Sequence, residues 1–152
     1  MTHDVSSTRT LPVPPAEVWK AWESSDYLKR WWGPQGFTCP TADVDLREGG
    51  RTLVSMTAPG FGEIYNTWTY SRIVPHERIE YVLRFTDKDG APHDPPMPDI
   101  PNEVPHVVTF SALPEGGTTL TVVEFGYASA EAAAISRGGL EQCLDKLEAI
   151  YA

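Results

Sequence analysis

From Val5 the run VSSTRTLPVP alternates polar and apolar side chains, the period of a half-buried strand. Pro14 and Pro15 then open a helix, where proline is tolerated because the N–H it lacks would have no partner in the first turn. In AEVWKAW, Val18 shares a helical face with either Trp19 or Trp22, and SSDYLKRWW supplies a serine cap and a second short helix that Gly33-Pro34 ends. Period two returns between Thr38 and Thr57, where TADVDLREGGRTLVSMT reads as two strands joined in a hairpin at Glu48-Gly49-Gly50. EIYNTWTYSRIV and ERIEYVLRFT follow as strands around a Pro75-His76 turn, and HVVTFSAL pairs with TTLTVVEFG around Pro114-Glu115-Gly116-Gly117. Beyond Ser129, which caps the last element, the period lengthens again. Leu140, Cys143, Leu144, Leu147 and Tyr151 form one apolar stripe of a long C-terminal helix.

This order predicts an α+β fold, a curved antiparallel sheet of six or seven strands around the C-terminal helix, with two short helices after the first strand. The sheet has one face to bury and only one long amphipathic helix to bury it against. One helix does not fill so large a concavity, so a cavity between the two is expected. Residues 1–152 read as one domain. One segment breaks the regularity. APHDPPMPDIPNEVP, Ala91 to Pro105, carries six prolines, is excluded from a central strand, and reads as a long semi-rigid loop, either a lid over a site or an inert insertion.

Composition narrows the partners. Twelve basic residues against 21 acidic ones give a net charge of −9 with no basic cluster, which argues against nonspecific nucleic-acid binding and against an anionic membrane surface. No apolar run approaches the roughly 20 residues of a spanning helix, and MTHDVSSTRT lacks the apolar centre of a signal peptide. Cys39 and Cys143 are too few and too far apart for a disulfide framework or a Cys-x-x-Cys site, and they read as reduced thiols of a cytoplasmic protein. No Gly-x-Ser-x-Gly elbow is present to support Ser-His-Asp catalysis, and with no glycine-rich phosphate loop no cofactor is expected. His93, Asp94, Asp99 and His106 match no ligand spacing, so no metal is expected either.

Five stretches, PPAEVWKAWESSDYLKRWWGP, DVDLREGGRTLVSM, IVPHERIEYV, GGTTLTVVEFGY and GGLEQCLDKLEAI, resemble in order the signatures of one family. It is the family named after the activator of the heat-shock protein 90 ATPase, within the START-like helix-grip (SRPBCC) superfamily. The resemblance runs from Val5 to Tyr151, and its most specific parts are Trp31-Trp32-Gly33-Pro34 and Leu46-Arg47-Glu48-Gly49-Gly50-Arg51. It implies the same helix-grip fold and a hydrophobic cavity for a small molecule. The superfamily spans lipid and hormone carriers, aromatic polyketide cyclases, self-resistance proteins and chaperone co-regulators, and includes many bacterial single-domain members. The resemblance permits a homodimer. One departure stands out: the last helix of the family usually has Gly-Trp where this chain has Gly139-Leu140, and the smaller residue leaves room in the cavity.

Strand parity selects the cavity-facing side chains. Ile79, Tyr81, Leu83 and Phe85 face the helix, with Glu80 and Arg84 toward water. On the next strand Val108, Phe110 and Ala112 point inward, which brings His106 to the same face, and Leu120 and Val122 carry Glu124 inward on the last strand. The short turn between these two strands makes His106 and Glu124 near-neighbours. A carboxylate beside an imidazole in an apolar cavity favours the imidazolium and orients one ring nitrogen, which suits general-base work; the pair also serves to anchor a ligand or to satisfy itself. On EIYNTWTYSR the parity is open between Ile64, Asn66, Trp68 and Tyr70 on one face and Tyr65, Thr67 and Thr69 on the other. Trp31 and Trp32, adjacent where a helix must stop, divide between burial under the sheet edge and lining of the opening.

The leading reading is a protein that binds a small hydrophobic or aromatic molecule, held by apolar burial with a few polar groups fixing its orientation. His106, Glu124 and Tyr81 are the polar candidates, and Trp31, Trp32, Met56, Trp68, Phe85, Phe110, Leu140 and Leu144 the walls. The alternative is an enzyme of the cyclase or dehydratase kind with His106 as base and Glu124 beside it. A third reading, a chaperone ATPase co-regulator, is weakened because the family's namesake has a second, chaperone-binding domain for which 152 residues leave no room.

Overall fold

The computed structural model describes residues 2–152. In chain order it contains β1 (His3–Leu11), α1 (Pro15–Glu23), α2 (Ser25–Trp31), β2 (Ala42–Asp43), β3 (Arg51–Met56), β4 (Ile64–Val74), β5 (Arg78–Thr86), β6 (Glu103–Ala112), β7 (Thr118–Tyr127) and α3 (Ala130–Tyr151). The strands form one antiparallel sheet in the order β1-β7-β6-β5-β4-β3-β2, with α3 against its concave side, the helix-grip architecture.

Local chemistry accounts for the boundaries. Pro15 sits at the start of α1, and the Ser24 hydroxyl caps α2 by accepting the Tyr27 N–H. Ser129 caps α3 in the same way through the Ala132 N–H. Gly33, with φ +101°, turns the chain out of α2, and a Cβ there would come within 3.2 Å of the Phe37 Cβ. Trp32 is already extended, so the two tryptophan rings leave the helix end in different directions.

Two polar clamps hold α3 in the grip. On one side the Arg9 guanidinium of β1 donates to Asp145 (2.8 Å), Glu148 (3.2 Å) and Glu141 (3.1 Å), and Ser7 donates to Glu141. On the other side the Lys146 ammonium donates to the backbone carbonyls of Gly33 (2.7 Å), Pro34 (3.4 Å) and Phe37 (3.0 Å). Between the clamps Leu144 and Leu147 are fully buried against the sheet, while Tyr151, at the end of the stripe, donates its hydroxyl to the Glu17 carbonyl.

Three features depart from the sequence reading. The strand before Gly49-Gly50 is only two residues long, and residues 44–50 form a loop rather than a tight hairpin. Gly49 and Gly50 pair instead with Tyr70, and Gly50 packs so closely that a Cβ would lie 2.5 Å from the Asp45 carbonyl oxygen. The proline-rich connection is shorter than expected, because β6 begins at Glu103 and includes Pro105, opposite Val82 of β5. The β6–β7 ladder stops at His106–Glu124, one residue short of Pro105, so the missing N–H interrupts no rung on that side. Ala112 is exposed rather than inward-facing, because β6 ends there at the turn into β7.

Candidate functional site

Between the concave face and α3 lies a cavity of about 180 Å³. Its sheet wall comes from Met56, Asn66, Leu83, Phe85, Val104, His106, Glu124 and Tyr127, and its helix wall from Ile135, Ser136, Gly139, Leu140 and Cys143. Trp32 and Pro34 close one side, and Pro96 and Ile100 of the proline-rich segment close another. That segment is therefore part of the wall.

Four polar side chains meet at one end of the cavity. His106 and Glu124 are direct partners in the β6–β7 register, and His106 Nε2 lies 3.3 Å from Glu124 Oε2. His106 Nδ1 lies 2.9 Å from the Val104 carbonyl oxygen, which only accepts, so Nδ1 carries a hydrogen. The other ring nitrogen, Nε2, faces the Glu124 carboxylate, an ion pair whenever the imidazole is protonated. The imidazole also stacks on Tyr81, with centroids 4.8 Å apart. Glu124 Oε1 in turn accepts from the Tyr127 hydroxyl (2.8 Å) and the Ser136 hydroxyl (2.7 Å), so a carboxylate on the sheet is tied to α3. Burial pushes the Glu124 carboxyl upward, but the hydrogen bond and charge of His106, with the two hydroxyls, outweigh it and hold the group below the usual carboxylate range.

Another part of the wall holds donors without acceptors. The Trp68 indole N–H donates to Asn66 Oδ1 at 2.9 Å, and because an indole nitrogen only donates, this bond fixes which end of the amide is oxygen. The Asn66 amide nitrogen then has no partner among the described residues, in a side chain only 1% exposed. The buried Trp32 indole N–H has none either. Its ring stands edge-on to Trp68, with centroids 5.1 Å apart. A buried donor left unmade costs about 1–3 kcal/mol.

Of the side chains selected from sequence, Trp32, Met56, Phe85, His106, Glu124 and Leu140 line this cavity. Trp31, Trp68, Tyr81, Phe110 and Leu144 do not reach it. Trp31 turns into the core, where its indole N–H donates to the Ala21 carbonyl at 2.8 Å. Trp68 and Tyr81 stack on each other behind the wall (5.0 Å), Phe110 packs against Trp19 and Trp22, and Leu144 is sealed under the sheet.

Sequence reasoning missed Asn66, Tyr127 and Ser136. Asn66 was hidden by the open parity of β4, which resolves with Asn66, Trp68 and Tyr70 buried. Tyr127 is reached only through a bulge: three steps of β7, from Glu124 to Tyr127, oppose two of β1, from Val5 to His3. Gly126 takes φ +95° there, which turns Tyr127 to the face that Glu124 occupies. Ser136 carries a readable signal, since it lies four residues before Leu140 on the same helical stripe.

Cys143 lines the cavity as a small apolar group, since burial pushes its thiol up to about 12 and keeps it protonated. A larger concavity, about 590 Å³, lies on the outer face of the sheet beneath residues 90–94. It is lined by exposed Arg51, His93, Asp94 and Asn102 together with Phe85 and the buried Thr67 and Thr86, and its Arg84 is already paired with Glu103. Volume alone would favour it, but burial and unmet hydrogen bonding favour the inner cavity. Among the described residues, no group of His, Cys, Asp and Glu side chains is placed to hold a metal ion, and no helix is long and apolar enough to cross a membrane.

Comparison with known proteins agrees with this architecture. A crystal structure of a Chromobacterium violaceum protein is 27% identical and superposes with a TM-score of 0.81 over 97% of this chain and 96% of that one. A Mycobacterium smegmatis protein is also 27% identical, with a TM-score of 0.80 over 99% and 91%. The AHSA1 protein of Silicibacter pomeroyi, 19% identical with a TM-score of 0.77 over 97% and 96%, shares the fold. No curated protein matches the sequence. The family model described as "Activator of Hsp90 ATPase homolog 1-like protein" matches residues 12–152, and the chain belongs to that family.

Proposed function

We propose that this protein binds one small, largely apolar molecule in the cavity between the sheet and α3. The observation that carries this reading is the lining: aromatic and aliphatic walls from both layers, with a few buried polar groups at defined positions. Size limits the ligand. An engineered cavity of about 150 Å³ holds benzene, so about 180 Å³ accommodates one ring with a short substituent. A lipid chain or a multi-ring polyketide extends out of the cavity or displaces Pro96 and Ile100 from its wall.

Binding is favoured over catalysis by the state of the polar cluster. A general base needs a free lone pair facing the substrate, whereas both ring nitrogens of His106 are engaged, one with Val104 and one with Glu124. The cluster serves to fix the cavity wall and bind the helix to the sheet.

Native mass spectrometry of protein purified from its own host, compared with a denatured sample, tests the reading. The expected result is a co-purified molecule of single-ring size that is released on denaturation. An empty protein that also takes up no single-ring aromatic compound overturns it.

A further inference from the structure

Of the three buried side-chain nitrogens without a partner among the described residues, those of Trp22, Trp32 and Asn66, the latter two belong to residues that line the cavity and bear on the ligand's chemistry. Asn66 and Trp32 line the same cavity and are linked through Trp68, which bonds to the first and packs against the second. Both N–H groups are buried and without an acceptor among the described residues. Elsewhere in the cavity the polar groups of His106, Glu124, Tyr127 and Ser136 engage one another. What these donors lack is an acceptor, and one supplied from the cavity reaches them as the surrounding side chains give way.

Charge decides which acceptor. No lysine or arginine is among the lining residues, and the imidazole of His106 already faces the Glu124 carboxylate. A carboxylate or phosphate would be buried without a cation beside it, in a chain of net charge −9. A neutral carbonyl oxygen accepts two hydrogen bonds without that penalty.

We propose that Asn66 and Trp32 form a two-donor subsite for a neutral carbonyl oxygen, so that the ligand is a single-ring aromatic ketone, aldehyde, ester or amide. This rests on the reading of the cavity as a binding site. It goes further by dividing ligands of one shape according to whether they carry an acceptor.

The test is a titration of the ¹⁵N-labelled protein with acetophenone, ethylbenzene and benzoate, followed by NMR. These present nearly one shape with a neutral acceptor, no acceptor, and a charged acceptor. Acetophenone is expected to bind at least about tenfold more tightly than either of the others. It is also expected to shift the Asn66 side-chain amide signals and one indole N–H signal downfield, the indole being the one that Trp32→Phe removes. Ethylbenzene leaves those signals without the downfield shift. Trp32→Phe keeps an aromatic ring but deletes the donor; it lowers acetophenone affinity about tenfold more than it lowers ethylbenzene affinity. Equal affinity for acetophenone and ethylbenzene overturns the subsite while leaving the cavity reading intact. Tighter binding of benzoate overturns the neutral-carbonyl assignment. Failure of all three compounds to bind overturns the subsite and the cavity reading together. If Trp32→Phe does not fold, the Asn66 amide signals of the unmodified protein decide the question: a downfield shift with acetophenone supports the subsite, and its absence overturns it.

Discussion

The two ends of the space under the sheet are built from the same strands and the same helix, yet one is solid and the other hollow. At the solid end α1 and α2 insert Trp19, Trp22 and Trp31, which meet Phe110 and Trp68 ring against ring at centroid separations of 5.0–6.5 Å. At the hollow end α3 presents Ile135, Ser136, Gly139 and Leu140, and no second helix fills the gap. The difference lies in side-chain volume and in which end receives the two short helices. A curved sheet with one helix is intrinsically underfilled, and this chain fills one end with aromatics while retaining the other as a cavity. Dense packing and open space are thereby assigned to separate residues.

The largest test of that division is Trp68→Ala. The ring is fully buried and touches Trp31, Trp32 and Tyr81, so its loss is expected to cost about 3–5 kcal/mol in urea unfolding. A cost below about 1 kcal/mol would show that the solid end is not solid. Leu140→Trp approaches the comparison from the other side. An indole in the hollow end fills the cavity, so aromatic probes are expected to lose at least about tenfold in affinity while the urea midpoint stays close to that of the parent.

Glu124→Gln addresses the polar junction of helix and sheet. The Glu124 carboxyl is held lower in the folded protein than in the unfolded chain, where it titrates near about 4.3. Its contribution is therefore present above that value and is lost as pH falls through the lower folded one. Thermal melts across this acid range are expected to show a stability loss in the parent that flattens in Glu124→Gln. An unchanged slope would remove Glu124 as its source. The smallest effect is expected from Arg9→Met. It breaks a partly exposed network with Asp145, Glu148 and Glu141, costing about 1 kcal/mol that added salt diminishes.

Most of this division is written in periodicity, which is local. Inward-facing Tyr81, Phe110, His106 and Leu120 follow from alternation, and the α3 stripe follows from helical spacing. The direct opposition of His106 and Glu124 follows from a short turn, which fixes register without any knowledge of the rest of the fold. What could not be read depends on events between elements. Whether Trp68 lines a cavity or backs one depends on Trp32, which stands in front of it from another part of the chain. Tyr127 reaches Glu124 only because Gly126 inserts a bulge, and one extra residue reverses the parity on which every such reading relies. The unmatched amide of Asn66 is a fact about neighbours, visible only once the Trp68 indole is seen to take its oxygen.

Lys146 gives the cavity mouth a mechanical character. Its ammonium sits among three carbonyl oxygens of the Gly33–Phe37 segment, as an ion sits in a coordination shell, although more than 100 residues separate the two. The adjoining Gln142 reinforces the joint by accepting the Gln35 N–H. Trp32 is the residue immediately before that segment, so the indole in the cavity wall is tied through it to α3. Displacing α3 relative to the Gly33–Phe37 segment would break the lysine's bonds unless that segment, with Trp32 at its head, moved too.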